Sequence, residues 1–120
     1  MSKWDPIGLR FALQGLSKLL HQKNFRIEVG AGFLAISMGL CLQINLQEWL
    51  WISLAITLVL VGEGINTAIE LTLDRVGTEF HTSTKQAKDI AAGAVVLCCL
   101  YAIVIGSVII GPKLWTLLFA

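Results

Sequence analysis

Glu63, Asn66, Glu70 and Asp74 follow one another at steps of three, four and four. On an α-helix of about 3.6 residues per turn they fall within about 80° of one another, with Thr67 on the same face. Three carboxylates on one face repel. Leaving two unpaired at low dielectric is costly, so the stripe calls for a cation. A divalent metal is one solution and Lys or Arg is another. Mg2+ in phosphoryl-transfer sites is often held by only one or two carboxylates plus phosphate oxygens. Basic groups are near in sequence. Arg75 adjoins Asp74, and Lys85, Lys88 and Asp89 follow, with positions 85, 88 and 92 on one helix face. Glu28 comes two residues after Arg26. If the helices carrying these groups pack together, acid, base and metal-ligand chemistry meets in one patch. A single Glu of this kind is most simply part of an ion pair holding helix ends. Glu63, Asn66, Glu70, Asp74, Lys88 and Asp89 together point to function.

The elements that must position this patch are membrane helices. The chain has 120 residues, of which 56% are hydrophobic and 14% charged, with a mean hydropathy of +0.76. Ordinary soluble domains carry about 25% charged residues. Too few charges are present to cover a soluble surface of this size. Cys41, Cys98 and Cys99 lie in apolar runs, and three cysteines leave one over, which excludes a disulfide scaffold. The apolar content excludes a disordered chain. A net charge of +1 without a basic run speaks against nucleic-acid binding, and no nucleic-acid partner is expected.

Three uncharged stretches stand out: 19 residues from Val29 to Gln47, 14 from Trp49 to Gly62 and 23 from Ile90 to Pro112. Crossing a hydrocarbon core of about 30 Å takes about 20 helical residues. The first and third stretches suffice. The second is short, so Glu63, Asn66 and even Glu70 are expected in or at the edge of the hydrocarbon, where polar groups point to a functional site. Residues 1–27 carry Ile7, Leu9, Phe11, Leu13, Leu16, Leu19 and Leu20 among Arg10, Lys18, His21 and Lys23. That suits a basic amphipathic helix on the membrane surface, or one packed on the bundle. The amphipathic start lacks an apolar h-region, so no signal peptide is expected. The expected fold is all-α and one membrane domain: a surface helix over 1–27 and transmembrane helices over 28–47, 49–75 and 85–112. Gly30, Gly32, Gly62, Gly64 and Gly93 sit near the charges and allow close helix approach.

Eight basic residues (Lys3, Arg10, Lys18, Lys23, Arg26, Arg75, Lys85 and Lys88) lie on one side of the spans, and Lys113 alone on the other. The positive-inside rule makes the first side cytoplasmic. Trp4, Trp49, Trp51 and Trp115 fall at the expected interfaces. No Walker A sequence, nucleophile elbow, HExxH or CxxC pair is present.

The run Glu63-Gly-Ile-Asn66-Thr-Ala-Ile-Glu70-Leu-Thr-Leu-Asp74-Arg75 resembles the ExxNxxxExxxD signature of the prokaryotic diacylglycerol kinase and undecaprenol kinase family. Glu79-Phe-His81, Lys85-Gln-Ala-Lys88-Asp89-Ile-Ala-Ala-Gly93 and Phe25-Arg26-Ile-Glu28 resemble it as well. So do the chain length, the three spans and the amphipathic start. The resemblance implies a lipid kinase using ATP and Mg2+, in the inner (cell) membrane of a bacterium, multi-pass and homotrimeric, with the N-terminus and site cytoplasmic. It makes Glu63 the base that takes the proton of the lipid hydroxyl, and Glu28 and Glu70 the Mg2+ ligands. It makes Asn66 an orienting group and Lys88 a phosphate contact, with Asp89 holding nucleotide or lysine. Asp74 and Glu79 stand where nucleotide enters. Gln14 and Ser17 are candidates to line the lipid or nucleotide pocket.

Stretches of the sequence resemble both branches of the family. Lys88-Asp89-Ile-Ala-Ala-Gly93-Ala-Val and Pro112-Lys-Leu-Trp lean towards undecaprenol, and Asp74-Arg75-Val-Gly-Thr-Glu79-Phe-His81 towards diacylglycerol. Two other classes compete: a small proton-coupled transporter using Glu63, and a non-enzymatic membrane assembly subunit. The transporter predicts an isolated acid in mid-span and no need of Lys88 or Asp89. His81 and His21 have no chemical partner in the pattern, and Cys98 and Cys99 read as packing residues.

Overall fold

Four helices and short connections make up the computed structural model, which describes residues 8–76 and 82–120. They are α1 (Leu9–Leu20), α2 (Lys23–Leu42), α3 (Leu46–Val76) and α4 (Thr82–Phe119), with no strand among the described residues. α2, α3 and α4 are each long and apolar enough to cross a membrane. Most of their large apolar side chains are exposed, including Phe33, Leu34, Leu97 and Val108. A fold held by water could not leave such surface bare, but lipid solvates it.

The helices start and stop where backbone chemistry requires. α2 ends at Gln43, which takes the left-handed conformation with φ 53°. Gln43 N–H donates to Leu40 O and Ile44 N–H to Gly39 O, the paired closing bonds of a Schellman turn. Ile44 is buried beneath this turn. A Cβ placed on Gly39 would come within 2.7 Å of the Trp49 ring, so only glycine allows that approach without displacement. α3 opens on a reciprocal cap. Asn45 Oδ1 accepts from Glu48 N–H at 2.8 Å, and Asn45 N–H donates to Glu48 Oε1 at 3.0 Å. Lys113 Nζ lies 3.5 Å from the same Glu48 oxygen and ties α4 to this end.

Helix ends differ from the expected boundaries for one reason: hydropathy reports the hydrocarbon, whereas a helix extends until its backbone is capped. The expected surface helix over 1–27 is interrupted at His21 and Gln22, and α2 already begins at Lys23. α3 begins three residues before the expected 49, and α4 continues through Pro112 to Phe119. Residues 1–7 of the expected surface helix, with Lys3 and Trp4, lie outside the described residues.

α3 and α4 form the main antiparallel hairpin. Two ion pairs bracket it, Lys88–Asp74 at one end and Lys113–Glu48 at the other. Lys88 and Lys113 are 25 residues apart on α4, or about 38 Å at 1.5 Å per residue, somewhat more than a hydrocarbon core of about 30 Å. A third contact sets the depth. Leu19 of α1 packs where Gly64 lacks a side chain: a Cβ there would lie 3.3 Å from Leu19 Cδ1. On α1, Leu9, Phe11, Leu13, Leu16 and Leu20 are exposed, as befits a helix lying in the plane of the interface. A position of α1 in the interface plane sets that interface at the level of Gly64. From Leu46 to Gly64 α3 rises about 27 Å, close to one hydrocarbon thickness. Residues 65–76 then project about 18 Å beyond the surface helix.

A non-glycine residue in the left-handed region carries a conformational cost. Gln43→Gly is expected to stabilise the protein by about 0.5–1 kcal/mol, read as a raised unfolding midpoint in detergent micelles.

Candidate active site

The bundle encloses few polar side chains, and they are adjacent. Glu63, Asn66 and Thr67 are only 6%, 8% and 9% exposed. All three lie on one face of α3, beside and just beyond the level of Gly64. The spacing of three and four residues turns that face towards α2 and α4, which cover it. Asn66 Nδ2 donates to Glu70 Oε1 at 3.2 Å, so one turn of helix orients both side chains. Farther out, Lys88 of α4 donates to Asp74 Oδ1 at 2.5 Å. Lys85 donates to Asp89 Oδ2 at 2.6 Å, an exposed pair within one turn of α4. The ladder thus runs from a buried carboxyl at the membrane edge to exposed ion pairs in water.

Glu28 enters from α2. Its carboxyl is a direct neighbour of that of Glu63. Glu28 Oε2 is buried without a hydrogen-bond partner, and so is Asn66 Oδ1. Two buried acceptors without donors, next to a second carboxylate, form a place for a cation or a donor. Among the described residues no three His, Cys, Asp or Glu side chains assemble a metal site by themselves. Mg2+ carried by phosphate oxygens needs only one or two carboxylates, so the donor set of Glu28 and Glu70 fits such an ion.

The structure brings together Glu28, Glu63, Asn66 and Glu70, and separately Lys88 and Asp74. Asp89 pairs with Lys85 rather than with Lys88. Gln14 and Ser17 are exposed on α1, three residues apart on one face. Glu79 and His81 lie outside the described residues. Of the glycines near the charges, Gly32, Gly62 and Gly64 meet neighbours at packing distance, whereas Gly30 and Gly93 face open space. Cys99, read from the sequence as a packing residue, lies within electrostatic reach of both Glu28 and Glu63. The antiparallel register that sets Gly62 against Cys98 carries Cys99 there, and no local pattern announces it.

Comparison with known proteins points the same way. The model of the family described as prokaryotic diacylglycerol kinase matches residues 10–110. A diacylglycerol kinase of Synechocystis sp. is 34% identical over 114 residues, covering 93% of this chain and 65% of that protein, so the chain spans about two-thirds of that relative's length. An undecaprenol kinase of Bacillus subtilis is 36% identical over 93 residues, 78% of this chain and 76% of that protein. A diacylglycerol kinase of Escherichia coli is 29% identical over 85 residues, 71% of this chain and 70% of that protein. Nothing in these matches supports a transporter.

The Lys88–Asp74 pair is largely exposed on the Asp74 side and more than a third exposed on the Lys88 side. Such pairs contribute at most about 1 kcal/mol. Lys88→Ala is therefore expected to leave the unfolding midpoint in micelles nearly unchanged, and a collapse of the fold would show that the pair holds the hairpin.

Proposed function

The chain belongs to the prokaryotic diacylglycerol kinase family, and on that premise we propose that it is an ATP-dependent kinase of a membrane lipid alcohol. The observation that carries this reading is the ladder from buried Glu63, level with the surface helix, to Lys88 and Asp74 in the projecting hairpin. A lipid hydroxyl resides at the interface and ATP in water. A site for transfer between them has to be polar along just this boundary.

In the reaction, Glu63 takes the proton from the lipid hydroxyl as its oxygen attacks the γ-phosphorus, and ADP leaves with the former bridging oxygen. Positioning and charge neutralisation dominate such transfers. Glu28 and Glu70 would hold Mg2+, which would supply charge neutralisation for the phosphates. Asn66 orients Glu70 through the bond already formed. Lys88 exchanges Asp74 for a phosphate oxygen. Asp74, Glu79, Lys88 and Asp89 frame the nucleotide, and Gln14 and Ser17 on α1 face the lipid side.

Eight of nine basic residues lie on the side of the site, which makes that side and the N-terminus cytoplasmic in the bacterial inner membrane. A homotrimer is the assembly this reading takes from the family resemblance. Undecaprenol is the favoured acceptor over diacylglycerol.

The test is phosphate transfer from labelled ATP in mixed micelles, with diacylglycerol and a short-chain undecaprenol analogue run side by side. Transfer to at least one lipid is expected, abolished by chelation of Mg2+. Glu63→Gln should lower kcat by about 100-fold or more while the protein stays folded. Full lipid-dependent turnover in that variant would remove Glu63 from its role, and no transfer to either lipid from folded protein would overturn the kinase reading.

A further inference from the structure

At the far end of the bundle, α2 and α4 part around a cavity of about 420 Å3 that the proposed transfer does not touch. Cys41 and Leu42, in the last turn of α2, line one wall, and Pro112, Lys113, Thr116 and Leu117 of α4 line the other. Ligand sites span about 300–1,000 Å3, so the size is that of a small site. Two polar side chains line it, and both have bonding capacity to spare. Lys113 Nζ carries three donors. Among the described residues its partner is Glu48 Oε1, at 3.5 Å against about 2.7–2.9 Å for a strong charged pair. That oxygen already accepts from Asn45 N–H at 3.0 Å. The Thr116 hydroxyl donates its one proton to Pro112 O at 3.0 Å and so offers only lone pairs. The cavity thus presents a cation and, about one turn along α4, an acceptor.

We propose that this cavity holds the headgroup of one phospholipid of the far leaflet, a phosphodiester that carries a hydrogen-bond donor beyond its phosphate, as in phosphatidylethanolamine. Depth, charge and surroundings select this occupant. Lys113 stands opposite Glu48 at the start of α3, and α3 rises about 27 Å from Leu46 to Gly64, close to one hydrocarbon thickness. The cavity therefore lies at the level of the far-leaflet phosphates, and exposed Trp115 marks the same interface. Lys113, the single basic residue on this side, answers one phosphate. Around the cavity Leu40, Val108 and Leu117 are exposed and give the acyl chains an apolar flank. The headgroup donor meets the lone pairs of Thr116 Oγ1. A choline headgroup brings the phosphate but no N–H, and leaves that acceptor unmatched. A lipid seated here bridges α2 and α4 at the end where the chain itself links only α2 to α3.

The experiment titrates the full chain in detergent micelles with phosphatidylethanolamine or phosphatidylcholine of identical acyl chains and counts bound lipid by native mass spectrometry. The first phosphatidylethanolamine is expected to bind about tenfold more tightly than the first phosphatidylcholine, the effect of one hydrogen bond to a charged group. Thr116→Val should abolish that preference. Lys113→Gln should weaken the first binding of both lipids alike. Cys41→Phe, which fills the cavity from α2 and leaves both polar groups in place, should remove the first site for both. Should Cys41→Phe fail to fold, Thr116→Val, which keeps the side-chain volume and the charges, decides. Equal binding of the two lipids by wild-type protein would overturn the proposal. So would a preference that persists in Thr116→Val and Lys113→Gln, because the lipid would then sit among the basic residues of the near side.

Discussion

A carboxylate in a membrane protein is tolerable only where water or another polar group can reach it, and the seat of Leu19 on Gly64 fixes where that is. The surface helix rests there because its leucines belong in lipid and its lysines and arginine in water. Gly64 follows Glu63 directly, so the same contact holds the buried carboxyl at the membrane edge. Everything charged on α3 beyond this level then stands in water. Everything between it and Leu46 spans one hydrocarbon thickness.

This arrangement reconciles two demands. The helices must bury polar groups for chemistry, yet lipid supplies no hydrophobic force to press helices together. Side-chain packing along the spans holds the bundle, with Ile52 and Ala55 of α3 buried in it, and polar pairs mark its two ends. Lys113 and Glu48, with the Asn45 cap, close the far end, and Lys88 and Asp74 close the near one. Between them α2 approaches α3 closely through Gly32 against Ile56 and Gly39 against Trp49. Beneath Glu28 the three spanning helices leave an open groove of about 290 Å3.

Periodic features were legible in the sequence. The three spans follow from uncharged length, and the common face of Glu63, Asn66 and Glu70 from steps of three and four. What one helix imposes on another was not. The partnership of Lys88 with Asp74, 14 residues away, depends on hairpin register, as does the approach of Cys99 to Glu28 and Glu63. The contact of Leu19 with Gly64, which seats α1 beside Glu63, depends on two helices meeting and has no local pattern either. Gln43 gave no turn signal, because glutamine rarely adopts the left-handed conformation and neighbouring capping imposes it here.

The three-residue link from Gln43 to Asn45 has a consequence for membrane traffic. It leaves only a tight turn between the first two spans on the far side, while a charged, two-helix mast stands on the near side. Turning the molecule over would drag that mast and its ion pairs through oil, so each copy is committed to the face on which it was inserted. Its polar stripe then faces only one leaflet. On the kinase reading, a lipid made in the opposite leaflet must first be flipped by other machinery, and the phosphorylated product enters the monolayer from which its substrate came.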